Sequence, residues 1–226
     1  RIPSNLQAHT FYGLLDQNTG LVADLISDRS ELLQQTITFE GPVTVSNTEI
    51  VAGAPVVTTT TAKARVTSQN ALTTQRGWYL DLESPVNGFQ GEMVPSNAFL
   101  RNKRVNFTTL IPDPDPCTYG GSSWLMNIDM FSGGRIDTSP FDLNGDGDFD
   151  NEDKVPPGGG PSAAGSDVAV SGLQIGEGIV AQGIVVGDPT RDRDLIIAPD
   201  SFGNVNSIPA WPGPGVYGRQ SWRQLR

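Results

Sequence analysis

Apolar positions along this chain come in short bursts, many of them β-branched or aromatic, and each burst is bounded by Gly, Pro, Asn or Asp. They fall at residues 11–15, 35–40, 42–45, 77–82, 105–111, 124–128, 178–186 and 195–198. Bursts of this length predict strands, because a helix needs apolar residues recurring every three or four positions over a longer span. The expected fold class is all-β. One segment, 27–35, predicts a helix: Ser27 or Asp28 can cap it, and Glu31 falls in its first turn. Residues 99–107 predict a hairpin turning at Asn102-Lys103, and residues 58–61 predict an edge strand or an extended linker. The stretch 156–166 (PPGGGPSAAGS) has too little apolar surface to order itself by burial and is expected to be a mobile loop.

An internal repeat carries the architectural expectation. Residues 11–20 (FYGLLDQNTG) and 124–133 (WLMNIDMFSG) share an aromatic-led strand, an apolar-Asp pair, two free positions, a hydroxyl residue and Gly. A degenerate third copy lies at 195–203 (LIIAPDSFG). The Asp side chain accepts backbone N–H groups two residues on, and Gly tolerates positive φ, so the motif predicts a tight turn after a strand. A strand, an Asp-turn-Gly and a second strand form the inner hairpin of a quinoprotein-type propeller blade. The expected architecture is therefore a modified, partial β-propeller, residues 1–226 forming one domain of four-stranded blades. A β-sandwich that reuses one turn is the competing architecture.

Charge narrows the partners. Fifteen basic against twenty-five acidic residues give a net charge of −10 and a pI near 4.4. Phosphate-backbone binding is driven by Lys and Arg, so nucleic acid is not an expected partner. No apolar run approaches the roughly 20 residues that cross a bilayer, so no membrane insertion is expected. The acidic balance suits an extracytoplasmic protein that uses carboxylates to hold divalent cations, and, with Arg at residue 1 and no leader before it, the chain is expected to be a processed or excised piece of a longer protein. Cys117 is the only cysteine, which excludes an internal disulfide and leaves a buried thiol or a pairing outside the chain.

The most informative segment runs from Asp142 to Asp153 (DLNGDGDFDNED). Against the calcium-loop template of EF-hands, oxygen side chains fall at positions 1, 3, 5, 9 and 12, which are Asp142, Asn144, Asp146, Asp150 and Asp153. Gly147 takes position 6, where the chain must turn. Asp148 at position 7 would offer its carbonyl, and Phe149 at position 8 would pin the loop to the core. Ca²⁺ takes six to eight hard oxygens, and without a cation so many carboxylates in one loop repel one another. Only Lys154-Val155-Pro156-Pro157 follows, so the second helix of an EF-hand is not expected. Asp153 is either a direct ligand or, where the loop closes at Asp150, a supporting or solvated group.

Several ordered motifs carry a resemblance. They include GWYLDL at 77–82, VNFTTLIP at 105–112, DPC at 115–117, GGSSWL at 120–125, the acidic loop, and GRQSWRQLR at 218–226. With TFYGLLD at 10–16 and the segment 28–36, they resemble the C-terminal region of the PilY family of type IV pilus tip adhesins and assembly factors. The resemblance implies a modified β-propeller with an EF-hand-like calcium loop. It also implies Ca²⁺ on Asp142, Asn144, Asp146, the Asp148 carbonyl and Asp150, and roles in surface attachment and in pilus extension and retraction. The implied partners are minor pilins or other pilus tip components, a surface receptor, and the remaining part of the same propeller. The family's integrin motif Arg-Gly-Asp has no counterpart, since residues 134–137 read GRID.

Two rival functions remain in view. An enzyme of the quinoprotein or glycosidase type needs an adjacent cysteine pair or two carboxylates set at a fixed separation. Asp113 and Asp115 sit in a proline-locked turn that suits structure better than chemistry, so no catalysis is expected. A calcium-dependent carbohydrate-binding or dockerin-like module is the alternative. Its sugar platforms would come from Trp78, Trp124, Trp211 or Trp222, for which core packing is the competing role. The Arg191–Asp194 run is expected to be a solvated turn, and the basic end (Arg219, Arg223, Arg226) to dock within the protein.

Overall fold

The computed structural model describes residues 7–16, 20, 25–113, 115, 120–158, 166–176, 178–188 and 190–213. Cys117, Trp222, Arg219, Arg223, Arg226 and most of the 156–166 segment lie outside the described residues. Among those described there are twelve strands and no α-helix. The strands are β1 (Thr10–Leu14), β2 (Leu33–Gln35), β3 (Ile37–Val51), β4 (Ala54–Thr67), β5 (Gly77–Asp81) and β6 (Phe99–Arg101). They continue with β7 (Arg104–Pro112), β8 (Gly121–Asp129), β9 (Gly172–Gln174), β10 (Ile184–Asp188), β11 (Arg193–Pro199) and β12 (Val205–Ala210).

These strands form three sheets, ordered β1-β5-β2, β3-β4-β9-β8-β7-β6 and β10-β11-β12. The six-stranded sheet is the middle layer, and the alternation of its side chains separates two cores. On one face Val43, Val45, Ala64, Val66, Leu125 and Leu173 pack with Val180, Ile196, Ala198 and Ala210 of the third sheet and its approach. On the other, Val105, Phe107, Trp124, Met126 and Ile128 pack with Trp78 and Leu80 of β5. The β8 sequence WLMNI shows the rule directly: Trp124, Met126 and Ile128 face one core, and Leu125 faces the other.

The all-β expectation holds, with two particular corrections. The predicted helix at 27–35 is a single 3-10 turn, Arg29–Glu31. Its capping chemistry is as expected, with Asp28 and Glu31 forming a capping box. Leu33–Gln35 then extend because they pair in parallel with Trp78–Leu80, and tertiary pairing overrides the local start signal. Residues 58–61 take the strand alternative: they lie in the long strand β4, paired with β3 from Phe39↔Val66 to Val51↔Ala54. The sheets have three, six and three strands rather than four each, and no ring closes among the described residues.

The repeat proves to be one of turns more than of hairpins. Asp129 accepts N–H groups from Phe131 and Ser132 at 2.9 and 2.7 Å, and Asp200 accepts from Phe202 and Asn204 at 3.0 and 2.9 Å. Gly133 and Gly203 follow at φ +72° and +87°. Among the described residues, however, the third copy alone joins adjacent strands, β11 and β12. The strand of the first, β1, pairs with β5, and that of the second, β8, pairs with β7 and β9.

Candidate metal centre

The acidic loop leaves the middle sheet after β8 and is fastened to the larger core by Phe141, Leu143 and Val155, all buried. Phe141 bridges Ala210 of β12, and Val155 bridges Val168. Phe149, the residue expected to pin the loop, is only partly buried and stands outside that core. Anchoring therefore comes from apolar residues at the two ends of the loop.

Within the loop the oxygen side chains of Asp142, Asn144, Asp146, Asp150 and Asp153 are turned onto nearby backbone, and that of Asp148 is exposed. Asp142 accepts the N–H of Gly145 at 2.7 Å and of Gly147 at 3.1 Å. Asn144 accepts from Asp146 N–H at 3.1 Å, Asp146 from Asp148 at 2.9 Å, and Asp150 from Glu152 at 2.7 Å. Gly145 and Gly147 sit at φ +83° and +94°, a region that an L side chain enters only at a cost of about 1–2 kcal/mol. Glycine at these two places is what lets the chain wrap around the Asp142 carboxylate. The Asn144 amide also donates to Asp146 at 2.9 Å.

Asp153 is wholly buried, so it is not the solvated acid that the sequence left open. Its carboxylate accepts backbone N–H groups from Leu143 at 2.6 Å and from Asn144 and Asp150 at 3.2 Å each. Burial pushes its carboxyl up to about 6, against the opposing pull of those hydrogen bonds, and the Asp142 charge adds to the rise. Asp142 is also raised, first by burial and then by the neighbouring Asp146 charge. Burial is thus the main cause of both shifts, and the neighbouring carboxylates add a smaller push in the same direction.

The donor set suits a hard dication: carboxylates, one amide oxygen and a backbone carbonyl at Asp148, on a loop that already turns at its glycines. Convergence is a separate matter. Among the described residues no three acidic, His or Cys side chains are gathered in a metal-holding group. The structure places Asp142, Asn144, Asp146, Asp148, Asp150 and Asp153 in one loop with their oxygens committed to backbone N–H groups or, at Asp148, exposed.

Other candidate groups take structural places. Trp78 and Trp124 are 1% and 2% exposed, so neither offers a face to a sugar. Asp113 accepts the Asp115 N–H at 2.8 Å, as a turn residue does. The Arg191–Asp194 run is corrected at its end: Asp194 is buried and takes a two-pronged bond from Arg101 at 2.8 Å, tying β6 to β11. Two clefts, of about 370 and 250 Å³, lie away from the acidic loop; the first is lined by Glu40, Lys63, Gln90 and Trp124 among others, the second by Asp81 and Glu83.

One polar cluster had no signal in the sequence. Arg65, 0% exposed, donates to both oxygens of Glu92 at 2.6 and 2.8 Å and to Glu40 at 2.8 Å. Its guanidinium lies 4.1 Å from the Trp124 ring centroid. Four sequence-distant residues are thereby locked on one face of the middle sheet.

No family model matches the chain. It is 31% identical over 232 residues to the type IV pilus biogenesis factor PilY1 of Pseudomonas aeruginosa, a match covering 97% of this chain and 18% of that protein. It is 38% identical over 224 residues to a PilY1 homolog of Xylella fastidiosa, covering 98% of this chain and 15% of that one. The chain thus spans under a fifth of the length of these curated relatives. In fold it is similar to the crystal structure of the Pseudomonas aeruginosa PilY1 C-terminal domain, with TM-score 0.65 and 24% identity, covering 92% of this chain and 38% of that one. Sequence likeness along nearly the whole chain and a shared fold agree: this protein belongs with the PilY family and corresponds to its C-terminal region.

Proposed function

We propose that this chain is the calcium-binding part of a type IV pilus-associated adhesin and assembly factor, and that it acts by binding and assembly rather than by catalysis. Its family relatives are named as type IV pilus biogenesis factors, which supports the pilus setting. The observation that carries the calcium reading is the acidic loop: Asp142 is wrapped by the N–H groups of Gly145 and Gly147 while its carboxyl is raised by burial and by Asp146. Asp142, Asn144, Asp146, Asp150 and the Asp148 carbonyl would hold the ion, with Asp153 fastening the base of the loop. Bound calcium supplies positive charge that relieves this crowding and stabilises the folded state by mass action.

In this reading the three stacked sheets are a partial propeller. The outer face of the third sheet supports a stack that continues, since Ile184, Val186 and Val205 stand on it 62%, 45% and 68% exposed. Calcium occupancy then sets the rigidity of the loop and its flanking strands, and through it pilus extension, retraction and surface attachment.

The test is calorimetric titration of calcium into the wild-type chain and into Asp142→Ala, Asp146→Ala, followed by twitching motility in cells carrying the same pair of substitutions. Binding heat lost in the double variant, together with altered motility, is the expected result. Equal heats from both proteins would refute the ligand assignment.

A further inference from the structure

The long β3–β4 ribbon leaves the body of the protein beyond Asn47. Val43, Val45 and Asn47 are buried, whereas every residue from 48 to 61 is exposed. Four cross-strand pairs lie past Asn47, from Thr48↔Val57 to Val51↔Ala54. At about 3.3 Å per residue they carry the tip roughly 13 Å outward. A two-residue turn at Ala52 and Gly53, with φ +53° and +83°, closes the ribbon without splaying it.

The tip is apolar on both faces. Pairing puts Ile50, Pro55 and Val57 on one face and Val51, Ala54 and Val56 on the other. Ile50, Val51, Val56 and Val57 are 70%, 52%, 43% and 61% exposed. In a chain of net charge −10, Glu49 is the one charged residue between 48 and 61. Among the described residues both edges are also open, since β3 has β4 as its sole sheet neighbour there and β4 meets β9 only at Ala64 and Arg65.

Such a ribbon is poorly suited to water. A free two-stranded hairpin is marginally stable and exposed apolar clusters mark contact sites; Glu49 and Pro55 are the one charge and the one proline that blunt the edges over residues 48–61. An occupant must be uncharged and apolar, and must cover two faces at once. The comparison points to its source: the solved PilY1 C-terminal domain contains this fold in 38% of its length, so most of that domain is additional chain.

We propose that the distal β3–β4 ribbon is a docking arm that inserts into an apolar slot formed by the remainder of a longer PilY-type polypeptide. This rests on the reading of the chain as one part of such a protein, and not on calcium binding.

The test compares the chain of 226 residues with the longer protein carrying it, both in a Cys117→Ser background. Maleimide labelling is followed at Val57→Cys on the tip and at Lys103→Cys, which is exposed on a different hairpin. The expected result is that Val57→Cys labels at least tenfold more slowly in the longer protein, with Lys103→Cys unchanged. Amide exchange over residues 48–57 of the unsubstituted proteins should slow by a similar factor. Equal labelling and equal exchange in the two proteins overturn the proposal. Protection that grows with the concentration of the short chain also overturns it, in favour of pairing between two copies. Calcium titration of the same samples reports on the loop separately, so the two readings fail independently.

Discussion

Asp153 accepts the backbone N–H of Leu143 at 2.6 Å with both residues buried, so the two ends of the acidic loop are joined through protein groups alone. The Asn144 and Asp150 N–H groups complete the fastening at 3.2 Å. Its base is thus formed by hydrogen bonds and by the apolar anchors Phe141, Leu143 and Val155, leaving the side chains of Asp142, Asn144, Asp146 and Asp150 outside that fastening.

That fastening has a pH signature. The folded Asp153 carboxyl is raised from the ordinary 3.8 to about 6, so between those values the folded state holds a proton that the unfolded chain has released. Its contribution to stability is full below about pH 4 and is lost as pH rises through about 6. In chelator, the melting temperature of the wild type relative to Asp153→Asn should therefore fall between pH 4 and pH 7. A difference independent of pH would contradict the assignment.

Arg65 offers a test of the middle sheet. Replacing it with Met leaves Glu92, 1% exposed, as an uncompensated buried charge, which typically costs about 3–5 kcal/mol. Urea denaturation should show a loss of that size, and the double variant Arg65→Met, Glu92→Met should recover most of it. A loss below about 1 kcal/mol in the single variant would mean that Glu92 finds water or a proton instead.

Gly133 carries φ +72°, and a Cβ there would collide with the Trp78 ring. Trp78 is held in place, because its indole N–H donates to the Met130 carbonyl at 3.0 Å. Positive-φ strain and overpacking together should make Gly133→Ala destabilising by about 2–4 kcal/mol, read by chemical denaturation. Gly203→Ala, whose Cβ meets open space at φ +87°, should cost only the backbone part.

The hairpin turn at Asn102-Lys103 predicts a change of the opposite sign. Asn102 and Lys103 stand at φ +47° and +65°, the geometry in which Asn-Gly is favoured. Lys103→Gly should stabilise the protein by about 0.5–1 kcal/mol, since the relief of a left-handed Lys exceeds the added freedom of the unfolded glycine. A drop in the urea midpoint would show that Lys103 makes a contribution beyond its backbone.

This hairpin was legible in the sequence, as were the β5, β7, β8 and β11 strands, because each is a compact apolar burst with its own turn chemistry. The β3–β4 ribbon was not. Glu40-Gly41-Pro42 breaks the apolar pattern within β3, yet Pro42 is tolerated there because the strand lies at the edge of its sheet. Segment 178–186 reads as one strand, but only its last residues join β10, with Gly178 at φ +86° turning the chain beforehand. In the acidic loop, the positions of the oxygen side chains and the turn at Gly147 follow from spacing. The anchoring by Phe141 and Leu143, the burial of Asp153 and the Arg65–Glu92 lock depend on which strands meet, which local pattern does not encode.

The most direct measurement is a crystal structure grown with saturating calcium, with anomalous density collected over the acidic loop. The loop assignment predicts one ion with the Asp142, Asn144, Asp146 and Asp150 side-chain oxygens and the Asp148 carbonyl at about 2.3–2.6 Å, or a water between the ion and Asp150. A well-ordered loop without an ion, its carboxylates still resting on the N–H groups of Gly145, Gly147, Asp148 and Glu152, would contradict it.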